Sequence, residues 1–293
     1  MAMTLSNQAF NHKDWQFEIK WDGFRMLAYC SYDQVSLCSK NNNSFNKRFS
    51  SIKAELEGMK LNAVLDGEVV KLNEDGSPNF SNIISPHEKG LVVYYVFDIL
   101  WSNDRNVLDL PLHQRRQLLK SILPKSETIR FSDHVDERGI DLFNLVQEHR
   151  VEGVVAKHRD STYTPGYRTN QWLKIKTGHH IEAVIAGYLL DKDKEGSGFS
   201  SLIIGRKIEK QYQYIGLVEA GVGIQTQKKV LEAKKTRTPV FATVPKVNRK
   251  TPFRSPIRNA EIVWIKPELK CEIKYLELDQ YGVMRHASFK GLI

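Results

Sequence analysis

No apolar run in the 293-residue sequence approaches the roughly 18–20 residues needed to span a bilayer, and no basic-then-apolar leader opens it. A soluble, cytoplasmic protein is the expectation. Cysteine is scarce: Cys30, Cys38 and Cys271 are too few for a disulfide framework and lack metal-ligand spacing, so they read as reduced thiols. Internal repeats and low-complexity stretches are also missing, and the interspersed charges exclude a disordered chain.

Acidic charge is in deficit. The net charge is +9, which points to a polyanionic partner. The surplus is concentrated between Lys228 and Arg258, where Lys228, Lys229, Lys234, Lys235, Arg237, Lys246, Arg249, Lys250, Arg254 and Arg258 face one acid, Glu232. Such density suits nucleic acid, because each cation that meets a phosphate releases condensed counterions. A solvated loop that keeps the protein soluble is the plainer alternative.

The length predicts about two domains. Up to about residue 178, strand-like runs (Gln16–Lys20, Val35–Ser39, Ala63–Val70, Leu91–Leu100, Gly153–Ala156, Gln171–Ile175) mix with helical patterns at Phe49–Met59, Leu112–Ile122 and Gly139–His149. This is the signature of an α+β domain with mainly antiparallel sheets, placed at residues 1–180. After a short connector at Thr177-Gly178-His179-His180, residues 181–293 read as strands at Ala183–Leu190, Ser201–Lys207, Gln211–Gly216, Ala260–Lys266 and Cys271–Leu278. One helical stretch, Gln225–Ala233, separates the third from the fourth. Five strands and a helix predict a small five-stranded barrel of the OB type.

The most informative stretch is Phe17-Glu18-Ile19-Lys20-Trp21-Asp22-Gly23-Phe24-Arg25. Side chains alternate along a strand, so Glu18 and Lys20 share a face at the approach to a sharp turn. Alone, Lys-x-Asp-Gly is a weak match, since Asp-Gly is also the commonest hairpin signal and a surface hairpin would account for it. The same alternation puts Lys174 with Lys176 and Asp66 with Glu68, and Glu152 adds a further acid. Several strands carrying acids and lysines among core-quality aliphatics predict one pocket lined by both signs. Nucleotidyl transfer needs such a pocket, because it depends on in-line positioning and charge neutralisation. Lysines can hold triphosphate oxygens, and carboxylates can hold a divalent cation. An attacking lysine must be neutral, a state that nearby cations or a bound metal favour. Phe97 is the candidate platform for a base, although a core phenylalanine fits that segment equally well.

The ordered series Lys20-Trp21-Asp22-Gly23-Phe24-Arg25, Ser39-Lys40-Asn41, Leu65-Asp66-Gly67-Glu68, Phe97-Asp98, Glu152-Gly153-Val154-Val155-Ala156-Lys157 and Trp172-Leu173-Lys174-Ile175-Lys176 resembles the ATP-dependent DNA ligases, most of all the ligase module of bacterial ligase D. The likeness continues through Gly198-Phe199-Ser200-Ser201-Leu202, Trp264-Ile265-Lys266-Pro267 and Arg285-His286-Ala287-Ser288-Phe289-Lys290-Gly291-Leu292.

The resemblance implies that Lys20 carries AMP as a phosphoramidate. Glu18 would read the adenine amino group, Phe97 would stack on the ring and Val155 would cover its other face. Arg25 and Glu68 would meet the ribose or phosphate, and Glu68 with Glu152 would bind Mg²⁺ or Mn²⁺. Lys174 and Lys176 would hold the α-phosphate, with Arg168 as a further phosphate contact. Lys228, Lys229, Arg249 and Lys250 would follow the DNA backbone. The implied substrates are ATP and nicked or broken double-stranded DNA in end-joining repair at the bacterial nucleoid. A Ku-like end-binding protein and polymerase or phosphoesterase modules are the associated partners, with no membrane involved.

Two departures bear on this reading. Lys40 stands where the family has arginine, which keeps the charge and loses the bidentate fork. The family's final Arg-x-Asp-Lys motif would follow Leu292, where Ile293 stands instead, so weakened self-adenylation is an expectation. The rivals are an RNA ligase or capping nucleotidyltransferase, and a DNA-end-binding module with impaired self-adenylation.

Overall fold

The computed structural model describes residues 1–74, 76, 90–149, 151–193, 198–219, 221–248, 256–279 and 281–293. They form two compact units, Met1–Thr177 and Gly178–Ile293.

The first unit holds two main sheets. One joins β1 (Ala2–Ser6), β2 (His12–Ile19), β9 (His134–Glu137), β10 (Gly153–His158) and β11 (Arg168–Lys176) in the order β1-β11-β10-β2-β9. The other runs β4 (Gln34–Ser39), β3 (Phe24–Ser31), β5 (Asn62–Leu72), β6 (Leu91–Ser102), β7 (Arg105–Asn106), with β8 (Ile129–Phe131) also paired to β6. Pairing is antiparallel apart from β1 with β11 and β6 with β8, which are parallel. The helices are α1 (Ser50–Gly58), α2 (Leu112–Ile122) and α3 (Gly139–Glu148).

Alternation in the sequence explains the layering. Phe17, Val154, Ala156 and Ile175 lie on one face of the first sheet and pack with Val146 of α3. That leaves Gln16, Glu18, Val155, Lys157, Trp172 and Lys174 to the opposite face. The second sheet buries Met26, Ala28, Leu37, Leu65 and Ile99 with Ile52 and Leu56 of α1 and Leu119 of α2. Helix α2 departs from ordinary amphipathicity, because its buried face carries Arg115 and Arg116 beside Leu112 and Leu119. Arg115 donates a fork to Asp98 at 2.8 and 2.9 Å and further bonds to the carbonyls of Leu110 and Ser161, pinning α2 to β6.

The second unit is β-rich, as its turn-punctuated strands predict. Its long strand β12 (His179–Asp191) pairs with β13 (Ser201–Ile208) along one side, and with β16 (Ala260–Ile265) and β17 (Lys270–Tyr275) along the other. The strand β14 (Gln211–Val218) follows β13, α4 (Ile224–Glu232) comes next, short β15 (Lys235–Thr236) pairs with β16, β18 (Glu277–Leu278) with β19 (Met284–Arg285), and β20 (Ser288–Leu292) with β17. Ile185, Leu202, Ile204, Ile215, Cys271, Ile273 and Phe289 make its core. The predicted connector is shorter than its sequence suggested: His179 and His180 already pair with Tyr275 and Lys274, because backbone partners were available to them. Among the described residues, no helix is long and apolar enough to cross a membrane.

Candidate active site

The strand β10 sets the geometry of the site. It lies between β11 and β2, so its residues define rows across the sheet. Val155 is opposite Lys174 on one side and Glu18 on the other. One row deeper, Lys157 is opposite Trp172 and Gln16. One row higher, Gly153 is opposite Lys176, and its carbonyl accepts the Lys20 N–H at 2.8 Å. The alternation that put Glu18 with Lys20, and Lys174 with Lys176, on common faces thus brings the two pairs to adjoining rows of one sheet, with Glu18 and Lys20 lining the pocket.

Lys20 is not part of a hairpin. The strands on either side of it, β2 and β3, belong to different sheets, so Lys20–Gly23 is the crossing between them. The crossing passes so close to β5 that a Cβ on Gly23 would lie 2.1 Å from the Val69 carbonyl oxygen, which only glycine tolerates. The nucleophile candidate therefore sits where two sheets are stitched together.

Charge around Lys20 is dense. Its Nζ pairs with Glu152 Oε2, and Lys176 Nζ lies 3.2 Å from the other oxygen of the same buried carboxylate. Lys174 makes no ion pair among the described residues. Burial first, then repulsion from Lys176, Lys20 and Arg168, lowers its basicity. Arg168 is exposed and donates to the Met3 carbonyl. Glu68 lies opposite Arg25 in the ladder, and its carboxylate makes no hydrogen bond or ion pair with a described residue. Burial pushes its carboxyl up to about 8, against the pull of Lys20 and Arg25 and with the help of Glu152. A carboxyl of that kind gains from a hard cation, and Glu68 with Glu152 offers oxygen donors of the right type. Among the described residues no cluster of three or more metal-ligating side chains forms.

The other end of the pocket is lined by Glu18, Phe97, Val155, Lys157 and Trp172. Glu18 is 2% exposed and held from three elements. It accepts Arg116 Nη1 of α2 at 2.7 Å and Ser132 Oγ at 3.3 Å, and lies 2.7 Å from Lys157 Nζ. That last contact is an ion pair off the angle of a hydrogen bond, and Lys157 Nζ has no other acceptor. Lys157 stands 4.4 Å from the ring centroids of both Phe97 and Trp172, which meet edge to face. Arg25 also lines the pocket, yet most of its donors are committed. Nε and Nη2 fork onto Asp66 at 3.0 and 2.6 Å, Nη2 reaches Tyr163 Oη at 3.1 Å, and Nη1 donates to the Met1 carbonyl at 2.7 Å. Burial opposes the Arg25 charge, but the Asp66 carboxylate overrides it and raises its pKa. With five N–H groups on a guanidinium, one remains for a ligand.

Not every expected residue is brought in. Lys40 is exposed in the turn after β4, and Glu152, Arg168, Lys174 and Lys176 also lie outside the pocket lining, although Lys176 and Glu152 are joined to Lys20 by ion pairs. Lys228 and Lys229 are exposed on α4 of the second unit, and Arg249 and Lys250 fall outside the described residues. Conversely, sequence reasoning passed over Arg116, Lys157, Trp172 and the Asp66–Tyr163 bond of 2.8 Å. An Arg-Arg pair at apolar positions of a helix was the available signal for Arg116. A wider, open depression on the second unit, between the β13–β14 turn and Phe241–Thr243, carries Glu209 and Lys210 but no convergent acid–lysine set.

Residues 2–176 match the family model described as the ATP dependent DNA ligase domain, and residues 195–292 match that of the ATP dependent DNA ligase C terminal region. The chain belongs to the ATP-dependent DNA ligases. The multifunctional non-homologous end joining protein LigD of Mycolicibacterium smegmatis is 30% identical over 296 residues, covering 100% of this chain and 38% of the relative. LigD of Pseudomonas aeruginosa is 30% identical over 291 residues, covering 95% and 33%. The chain thus spans between about a third and two fifths of the length of these curated relatives. A solved mycobacterial DNA ligase D complexed with ATP and MES matches with a TM-score of 0.59 at 27% identity, over 100% of this chain and 94% of that one. The two units accordingly have the ligase arrangement of an α+β adenylation fold followed by an OB-type fold.

Proposed function

We propose that this ligase seals 5′-phosphate/3′-hydroxyl nicks in double-stranded DNA through a lysyl-AMP intermediate on Lys20, within bacterial end-joining repair. The adenylation domain would be residues 1–180 and the OB domain residues 181–293. What carries the reading is that Lys20 and Lys176 share one buried carboxylate, Glu152, with Lys174 close enough to both to lose basicity. Two lysines beside a third make a place for a phosphate group.

In the first step Lys20 Nζ forms a P–N bond to the α-phosphorus of ATP, and the bond to pyrophosphate breaks. Glu152 Oε2, already in contact with Nζ, is placed to take the departing proton. The AMP then passes to the 5′-phosphate at the nick as the P–N bond breaks. The 3′-hydroxyl attacks that activated phosphate, releasing AMP and a proton. Lys174, Lys176 and Arg168 would neutralise the α-phosphate throughout. Glu18 would accept from the adenine amino group, between Phe97 and Val155 on the two faces of the ring. Glu68 and Glu152 would hold Mg²⁺ or Mn²⁺, which supplies charge neutralisation at the phosphates when bound.

Intact mass before and after incubation with ATP and Mg²⁺ or Mn²⁺ tests this. A gain of one AMP, absent in Lys20→Ala, is expected, together with loss of nick sealing to background in the variant. Adduct retained by Lys20→Ala would remove that residue from the mechanism. A protein that binds nicked duplex and never acquires AMP would instead be an end-binding module. Labelling by GTP in preference to ATP would favour the capping class. The end-joining role is supported by the likeness to proteins named for non-homologous end joining, and a Ku-like partner and the nucleoid are part of the proposal.

A further inference from the structure

One guanidinium connects the two groups assigned above to the nucleobase. Arg116 Nη1 donates both to Glu18 Oε1 at 2.7 Å and to the carbonyl of Phe97 at 3.0 Å. Its Nη2 is fixed by the Ser132 carbonyl and by His134 Nδ1 at 3.1 Å, so it cannot follow Glu18 if the carboxylate shifts. Lys157 completes the clamp with its 2.7 Å ion pair to the same Oε1. Arg116 and Lys157 are each 2% exposed. Oε1 is thus saturated by two cations. Oε2 meets only the long 3.3 Å bond from Ser132, on a residue that lines the pocket.

An ionised carboxylate only accepts hydrogen bonds, whereas a protonated one also donates. A buried carboxylate without cations is costly and tends to neutralise. The 6-amino group of adenine offers a donor, and the 6-oxo group of guanine an acceptor. The state of Glu18 therefore decides which purine edge it can take.

We propose that Arg116, supported by Lys157, is a positioning residue for nucleobase selectivity: it keeps Glu18 an acceptor-only edge reader and ties it to the Phe97 platform. The proposal rests on the reading that Glu18 meets the adenine amino group. It predicts that selectivity is set from α2, outside the sheet that carries the nucleophile.

The experiment measures kcat/KM for nucleotidylation of Lys20 with ATP, GTP and purine riboside triphosphate, which lacks the 6-amino group. Arg116→Met should reduce the preference for ATP over both by about tenfold or more, the scale of one charge-assisted hydrogen bond. Lys157→Met should do so more weakly. If Arg116→Met does not fold, Arg116→Lys carries the test. A single ammonium cannot span Glu18 and the two carbonyls, so several-fold loss of preference is expected. Equal losses for all three nucleotides, or an unchanged preference in the folded variant, overturn the proposal. Glu18→Ala separates the two levels. If it leaves the parent preference intact, the assignment of Glu18 to the amino group fails; if it abolishes the preference while Arg116 variants keep it, only the positioning role fails.

Discussion

His134 shows how the clamp constrains a single residue. Its Nδ1 is 3.1 Å from Arg116 Nη2, which donates, so the proton of the neutral ring sits on Nε2. Burial, and then the Arg116 charge, lower its pKa below the ordinary 6.5. The folded state consequently binds this proton more weakly than the unfolded chain. Its contribution is present above about pH 6.5 and is lost as pH falls through the depressed folded value. Denaturation midpoints measured from pH 7 to pH 5 should fall less steeply for His134→Gln than for the parent. An identical slope would mean His134 already titrates normally. The thiols make a second residue-scale case. Burial pushes Cys30 and Cys271 up to about 12, while Cys38 is only half-buried. A thiol reagent at pH 8 should modify Cys38 alone in the native protein and the other two only after denaturation, as peptide mapping would show.

Among the elements, β10 carries the greatest constraint. Gly153 has φ +152°, and a Cβ there would lie 2.1 Å from the Ile175 carbonyl oxygen. Gly153→Ala should cost on the order of 1–3 kcal/mol in chemical denaturation. It should also slow AMP transfer, because the Gly153 carbonyl holds the Lys20 backbone. A parent-like midpoint would show that the strand pair can part without penalty. Elements of this kind mark the limit of what the sequence disclosed. Alternation made each strand's two faces legible, and α2 was predicted at Leu112–Ile122, where it lies. Which strands pair was not legible, since Glu18, Val155 and Lys174 are far apart in the chain and periodicity carries no register. The Asp-Gly turn suggested a hairpin because the local signal is the same whether the next strand pairs with the last or enters another sheet. Arg116 was missed because charged residues on a helix default to the solvated face, and only the fold reveals the carboxylate that repays its burial.

For the whole molecule, the net charge of +9 and the exposed lysines of α4 make salt dependence the natural observable. Replacing Lys228 and Lys229 by glutamate should weaken binding to nicked duplex irrespective of sequence. It should also flatten the log K against log salt slope by roughly 0.9 for each phosphate no longer neutralised. A slope identical to that of the parent would assign these lysines to solubility alone. A different consequence follows from the rows across β2, β10 and β11. On the proposed roles, Glu18 and Val155, which would take the base, share their row with the phosphate holder Lys174, while the row through Gly153 carries Lys176 and holds the Lys20 backbone. Base reading and phosphate holding would then meet in one row, and what stands apart from the bond-making residues is the support that Glu18 receives from α2. Variation at Arg116, Lys157 or Ser132 would, on that proposal, give selection a route to other nucleotides that leaves the bond-making residues unchanged.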